Sequence, residues 1–111
     1  MSRLSNITDE TFAREVLASD VPVLVDVYAD WCGPCKSMLP TLEDVAGEFD
    51  GAVRFLKLDL DHCPATAKAY DVQSIPTYLI FSGGRQVERY SGVMSRSKLA
   101  KILTQHVQVR A

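Results

Sequence analysis

Val23-Leu24-Val25-Asp26-Val27-Tyr28-Ala29-Asp30-Trp31-Cys32-Gly33-Pro34-Cys35 is the stretch that decides the fold. Val23 to Ala29 is almost continuously apolar, as a strand covered on both faces requires. It runs through Asp30-Trp31 into Cys-x-x-Cys, and Pro34 then opens a helical pattern. Proline suits a first helical turn, where its missing N–H costs nothing and its φ is already helical. Cys32 is thereby placed just ahead of the helix. There the free N–H groups and the positive end of the helix dipole favour an anion. A thiolate is such an anion, and it is the reactive form of cysteine. Cys35 lies about one turn further along, within reach of a bond made at Cys32. Cys32 is expected to be the exposed member. Gly33, without a side chain, lets another backbone come close.

Ring size points the same way. A disulfide across two intervening residues closes so short a loop that the chain-entropy account gives it only about 2 kcal/mol. Such a bridge is a weak staple and a good reversible couple. A purely structural bridge is the bland alternative. Half of a zinc site is another, but zinc takes four ligands and only His62, Cys63 and His106 remain to complete a set. His62 and Cys63 are adjacent and a second Cys-x-x-Cys is missing, so no metal site is expected.

Outward from this stretch, strands and helices alternate. An amphipathic helix is expected over Thr8–Ala18, with Asp9 and Glu10 in its first turn. A helix follows over Pro34–Phe49, kinked at Pro40. A strand is read at Val53–Asp59 and a short helix at Pro64–Tyr70. Thr77–Phe81 and Gln86–Tyr90 form a hairpin with Gly83-Gly84 in its turn. Ser95 caps a last helix running to about Val107. The strand–helix alternation implies parallel pairing and the hairpin antiparallel pairing. The expectation is an α/β fold: one small central mixed sheet flanked by helices on both faces, a single domain over 1–111.

The 111 residues carry a net charge of −2 and are 47% hydrophobic. That is enough for one core, and it lacks the basic excess of a nucleic-acid binder. No apolar run approaches the about 18 residues of a membrane span. Met1 to Asn6 lack the apolar segment of a secretory signal, so the sequon Asn6-Ile7-Thr8 is expected to stay unmodified. The odd count of three cysteines argues against a disulfide framework and for a reducing compartment.

The runs VLVDVYADWCGPCK, KLDLD, SIPT and SGV carry a close resemblance to the thioredoxin family, from the first helix to the last. Cys-x-x-Cys beside a βαβ pattern is itself an established mark of thioredoxin-like proteins. The resemblance implies the thioredoxin fold and protein-disulfide reduction. Gly33-Pro34 between the cysteines matches the reducing members. Cys32 would attack a client disulfide, and Cys35 would resolve the mixed disulfide. Asp26 would relay the proton of Cys35, with Lys57 as its partner. Read without the family, Asp26 and Lys57 are equally a satisfied structural ion pair. Pro76 alone reads as an ordinary strand-start proline; the family makes Ile75–Pro76 a cis bond against the dithiol. Ile75, Pro76, Gly92 and Val93, with Trp31 opposite, would form the client surface.

Tyr28 stands where bacterial members commonly have Trp, and Ser74 where they often have Gly. Cys63 is an extra cysteine in a segment where some eukaryotic members carry a regulatory one. Elsewhere the chain looks bacterial or plastid-like. The implied partners are disulfide-bearing clients and a separate thioredoxin reductase as electron donor. The chain lacks a dinucleotide fingerprint, so no cofactor is expected. A monomer in the cytoplasm, or in another reducing compartment such as the plastid stroma, completes the reading. The rival is a non-catalytic binding subunit of a larger assembly. Cys63 reads as an inert thiol, and His62 and His106 as solvated side chains.

Overall fold

The computed structural model describes residues 2–107; Met1 and residues 108–111, part of the expected 1–111 domain, lie outside the described residues. In chain order the elements are β1 (Ser5–Ile7), α1 (Ala13–Leu17), β2 (Val23–Tyr28), α2 (Gly33–Glu48), β3 (Arg54–Asp59), α3 (Pro64–Ala69), β4 (Thr77–Ser82), β5 (Arg85–Ser91) and α4 (Arg96–Thr104). They build one five-stranded sheet in the order β1-β3-β2-β4-β5. β1, β3 and β2 are parallel, and β4 and β5 run against their neighbours. This is the mixed α/β sheet expected, and the thioredoxin fold.

β2 lies at the centre with every side chain from Val23 to Val27 buried. Because strand side chains alternate, it feeds two cores. Leu24 packs with Met38, Leu42, Tyr78, Ile80 and Leu99 beneath α2 and α4. Val23, Val25 and Val27 pack with Val16, Leu58, Leu79 and Phe81 on the face of α1 and α3. Phe12, Tyr70 and Phe81 cluster there with ring centroids 5.3–5.6 Å apart; Phe81 meets both other rings edge to face, and Phe12 and Tyr70 are tilted by 49°.

The N-terminal region departs from expectation. Instead of a helix over Thr8–Ala18, the five residues Ala13–Leu17 wind as a short π-helix, closed by Ala18 N–H on the Ala13 carbonyl at 3.0 Å. The Thr8 and Thr11 hydroxyls each accept the other's backbone N–H, at 3.1 and 2.9 Å, a reciprocal cap that closes the start of this turn, and the Thr11 carbonyl already accepts the Glu15 N–H at 2.9 Å. Asp9 leaves this segment altogether. Its carboxylate accepts from the Ala65 and Thr66 N–H groups and the Thr66 hydroxyl at the start of α3. These bonds hold its pKa below the usual value. β1 was not expected; it adds three residues to the edge of β3.

The other elements follow the sequence closely. α2 continues through Pro40 as one helix. Ser95 Oγ accepts from Lys98 N–H at 3.1 Å and so caps α4. α4 ends at Thr104, short of Val107, because its last turn tightens: Gln105 and His106 bond back three residues. Gly83 and Gly84 turn the hairpin with φ of 60° and 80°. A Cβ on Gly84 would also meet the Leu17 carbonyl at 3.0 Å, so the turn sits tight beneath α1. Among the described residues no helix is long and apolar enough to cross a membrane.

Candidate active site

Cys32 is the N-cap residue of α2, with extended φ and ψ of −89° and 107°. Its Sγ accepts the backbone N–H of Cys35 at 3.2 Å. A sulfur that receives a helical N–H is held where negative charge is favoured. The two sulfurs are joined in a disulfide, with Cα atoms 5.3 Å apart. The expectation of an exposed Cys32 is corrected in this oxidised form: Cys32 and Cys35 are only 5% and 3% exposed. Both pack with Ala29 and against Ile75, below the rim made by the exposed Trp31, Gly33 and Pro34.

Asp26 lies on β2 beneath α2, in register with Lys57 of β3 and Tyr78 of β4. It is 1% exposed, and its Oδ1 has no hydrogen-bond partner. Burial pushes its pKa from 3.8 up to about 7, against the opposing pull of the Lys57 charge. Lys57 forms no ion pair among the described residues. Its ammonium lies instead 4.6 Å from the centre of the Tyr28 ring. Lys57 therefore acts on Asp26 through its field, not through contact. Together with Cys35, Lys36, Leu39 and Tyr28 it lines a cleft of about 130 Å³ that opens beside the dithiol.

Ile75–Pro76 is a cis peptide. The Pro76 carbonyl accepts from Gly92 N–H at 2.9 Å, which sets the Gly92–Val93 turn against the Ile75–Pro76 segment. Gly92 has φ +90°, a conformation other residues resist. Thr77 Oγ1 donates to the Ser74 carbonyl at 2.6 Å and meets Ser91 Oγ at 2.9 Å. Trp31 and Val93, at 67% and 61%, are among the few large apolar side chains left exposed. The structure thus gathers the expected residues around one rim: the dithiol, the cis-proline segment and the Gly92 turn.

Some residues at the site escaped sequence reasoning. Asp61 accepts from the Trp31 indole N–H at 2.8 Å and fixes the ring. Tyr78 is fully buried opposite Asp26, its hydroxyl also without a partner, and burial with the Asp26 charge raises its pKa. Only the strand register shows that pairing. Cys63 is buried on the opposite face of the sheet, where its thiol donates to the Ile7 carbonyl at 3.5 Å. Burial, with the charges of Asp9 and Asp59, pushes that thiol up, away from reactivity. His62 is exposed, and its Nδ1 lies 2.8 Å from the Asp59 carboxylate, which raises its pKa. His106 is not solvated: it is half-buried with Nε2 2.5 Å from Glu88, because the short last turn of α4 leads it back over β5. Among the described residues no three His, Cys, Asp or Glu side chains assemble into a metal site.

The family model for thioredoxin matches residues 3–105. Thioredoxin 1 of Nostoc sp. is 41% identical over 107 residues, covering 96% of this chain and all of that protein. A thioredoxin of Synechocystis sp. is 38% identical over the same shares. One from Rickettsia conorii is 41% identical over 95 residues, 86% of this chain and 90% of its own. With a redox pair at Cys32 and Cys35, this kinship favours disulfide reduction over a non-catalytic binding subunit. The chain belongs to the thioredoxin family and is a thioredoxin-type thiol–disulfide oxidoreductase, a protein-disulfide reductase.

Proposed function

We propose that the chain works as a single domain in which Cys32 is the attacking and Cys35 the resolving sulfur. The carrying observation is the Cys32 sulfur at the cap of α2, receiving a helical N–H, above a buried carboxyl whose pKa is about 7. In the reduced protein the Cys32 thiolate attacks a client disulfide. A Cys32–client bond forms and the first client thiolate leaves. Cys35 loses its proton toward the Asp26 carboxylate, which a pKa near neutrality suits to the task. The Cys35 thiolate then attacks Cys32 Sγ, and the second client thiolate departs. Two electrons have passed to the client, and the disulfide seen here is the product. A separate thioredoxin reductase restores the dithiol. Lys57 tunes Asp26 through its charge, and Gly33 and Pro34 shape the redox loop.

Clients dock on Trp31, Ile75, Pro76, Gly92 and Val93. Ile75 makes no backbone hydrogen bond among the described residues, which leaves its main chain free to pair with an extended client segment. This reading places a monomer in the cytoplasm or a comparable reducing compartment, where it maintains redox homeostasis. Insulin reduction followed by turbidity should proceed with wild type and fail with Cys32→Ser. Cys35→Ser should retain clients as mixed disulfides that Cys32→Ser does not. Equal turnover by Cys32→Ser and wild type would refute the assignment.

A further inference from the structure

The α3–β4 connection, which carries Ile75 and Pro76, is pinned at both ends by β5. At its far end, Gly92 N–H and the Ser91 hydroxyl hold Pro76 and Thr77. At its near end, the Arg89 guanidinium donates to the carbonyls of Tyr70, at the C-terminus of α3, and of Asp71, the latter at 3.1 Å. Arg89 and Ser91 stand two apart on β5 and so share a face. Gln86 Oε1 steadies the guanidinium at 3.3 Å. Asp71 is the only non-glycine with positive φ among the described residues, 53°, where the chain leaves the helix. The last carbonyls of a helix lack helical partners, and a planar fork of donors suits two of them at once. Four residues beyond Asp71, Ile75 packs on the dithiol.

We propose that Arg89 is a positioning residue for client recognition, fixing the α3–β4 segment so that Ile75 and Pro76 stay in register with the Gly92–Val93 turn. It rests on the docking surface proposed above. Arg89 touches neither sulfur. Its loss should loosen only the surface that large clients need, and a small disulfide that meets Cys32 alone should not sense it.

Pre-reduced Arg89→Ala, Arg89→Lys and wild type are compared in single turnover against rising insulin, which separates apparent binding from the limiting rate. The same proteins are compared against the small aromatic disulfide DTNB. Arg89→Ala should raise the half-saturating insulin concentration about fivefold, as loss of two exposed charge-assisted bonds implies. Its DTNB rate should equal that of wild type, and Arg89→Lys should recover part of the insulin binding. Backbone amides from Val72 to Ile75 should exchange hydrogen faster in Arg89→Ala. An unchanged insulin dependence, unchanged exchange, or parallel loss of insulin and DTNB reduction overturns the proposal. Loss of DTNB reduction by wild type itself would instead refute the dithiol mechanism.

Discussion

Replacing Asp26 should change the pH dependence of stability by an amount the structure sets. The carboxyl is buried, one of its oxygens has no partner, and its pKa rises from 3.8 to about 7. A raised pKa in an acid means that the fold favours the protonated form. Ionised Asp26 therefore burdens the folded state, and the burden grows as pH climbs from the unfolded to the folded value. A rise of about three units corresponds to about 4 kcal/mol at 1.36 kcal/mol per unit. Below the unfolded value the burden vanishes, and above about pH 7 it levels off. Asp26→Asn and Asp26→Ala carry pH-independent costs of their own, a polar amide or a small cavity. Those costs cancel when the difference from wild type is compared across pH. Urea unfolding of the oxidised proteins at several pH values should show each variant gaining about 4 kcal/mol on wild type between about pH 3 and pH 8. The same variants should reduce insulin more slowly and lose any inflection of rate near neutral pH. A stability difference independent of pH would refute the reasoning and show that Lys57 or buried water compensates the charge in full.

In the reduced protein, brief iodoacetamide treatment near neutral pH should label Cys32 well ahead of Cys35 and Cys63: both Cys32 and Cys63 precede helices, but only the Cys32 sulfur accepts a helix-start N–H, and Cys63 is buried with its thiol pushed up. Equal labelling by mass spectrometry would contradict this. Gly92→Ala should cost about 1–2 kcal/mol in urea unfolding through backbone strain alone, since φ is +90° and a Cβ there would meet nothing within 4 Å. An unchanged midpoint would show that the turn relaxes freely.

The parts legible in the sequence are those where local chemistry and long-range packing agree. The apolar run of β2, the proline after Cys32, Ser95 ahead of α4 and the paired glycines of the hairpin each state their own geometry. β1 was hidden because Ser5 and Asn6 are polar and exposed, and only Ile7 reaches the core. Its existence depends on the partner strand, not on its own residues. The first helix is shorter than its apolar spacing implies for a related reason. Apolar spacing at Phe12 and Val16 is real, but Thr8 and Thr11 are occupied in capping the first turn and Asp9 turns its carboxylate to the start of α3, so regular winding is confined to Ala13–Leu17. At the site, the motif identified the dithiol and the family resemblance pointed to Asp26. Tyr78 and Asp61 became visible only through register and loop geometry. The contact-free relation of Lys57 to Asp26 was equally invisible, since adjacency in a sheet does not say where a long side chain lays its charge.

The two borders of the sheet differ in a way that bears on life among damaged proteins. β1 offers a border of only three residues. β5 is longer but largely exposed, and it carries Arg85, Glu88 and Arg89. Unpaired strand borders invite extension by foreign chains, and brevity or charge deters it. A reductase opens crosslinks in proteins that then loosen, and loosened chains seek strands to join. With clients docked at the apolar rim as proposed above, the short and charged borders would keep such a chain from extending the sheet into an aggregate.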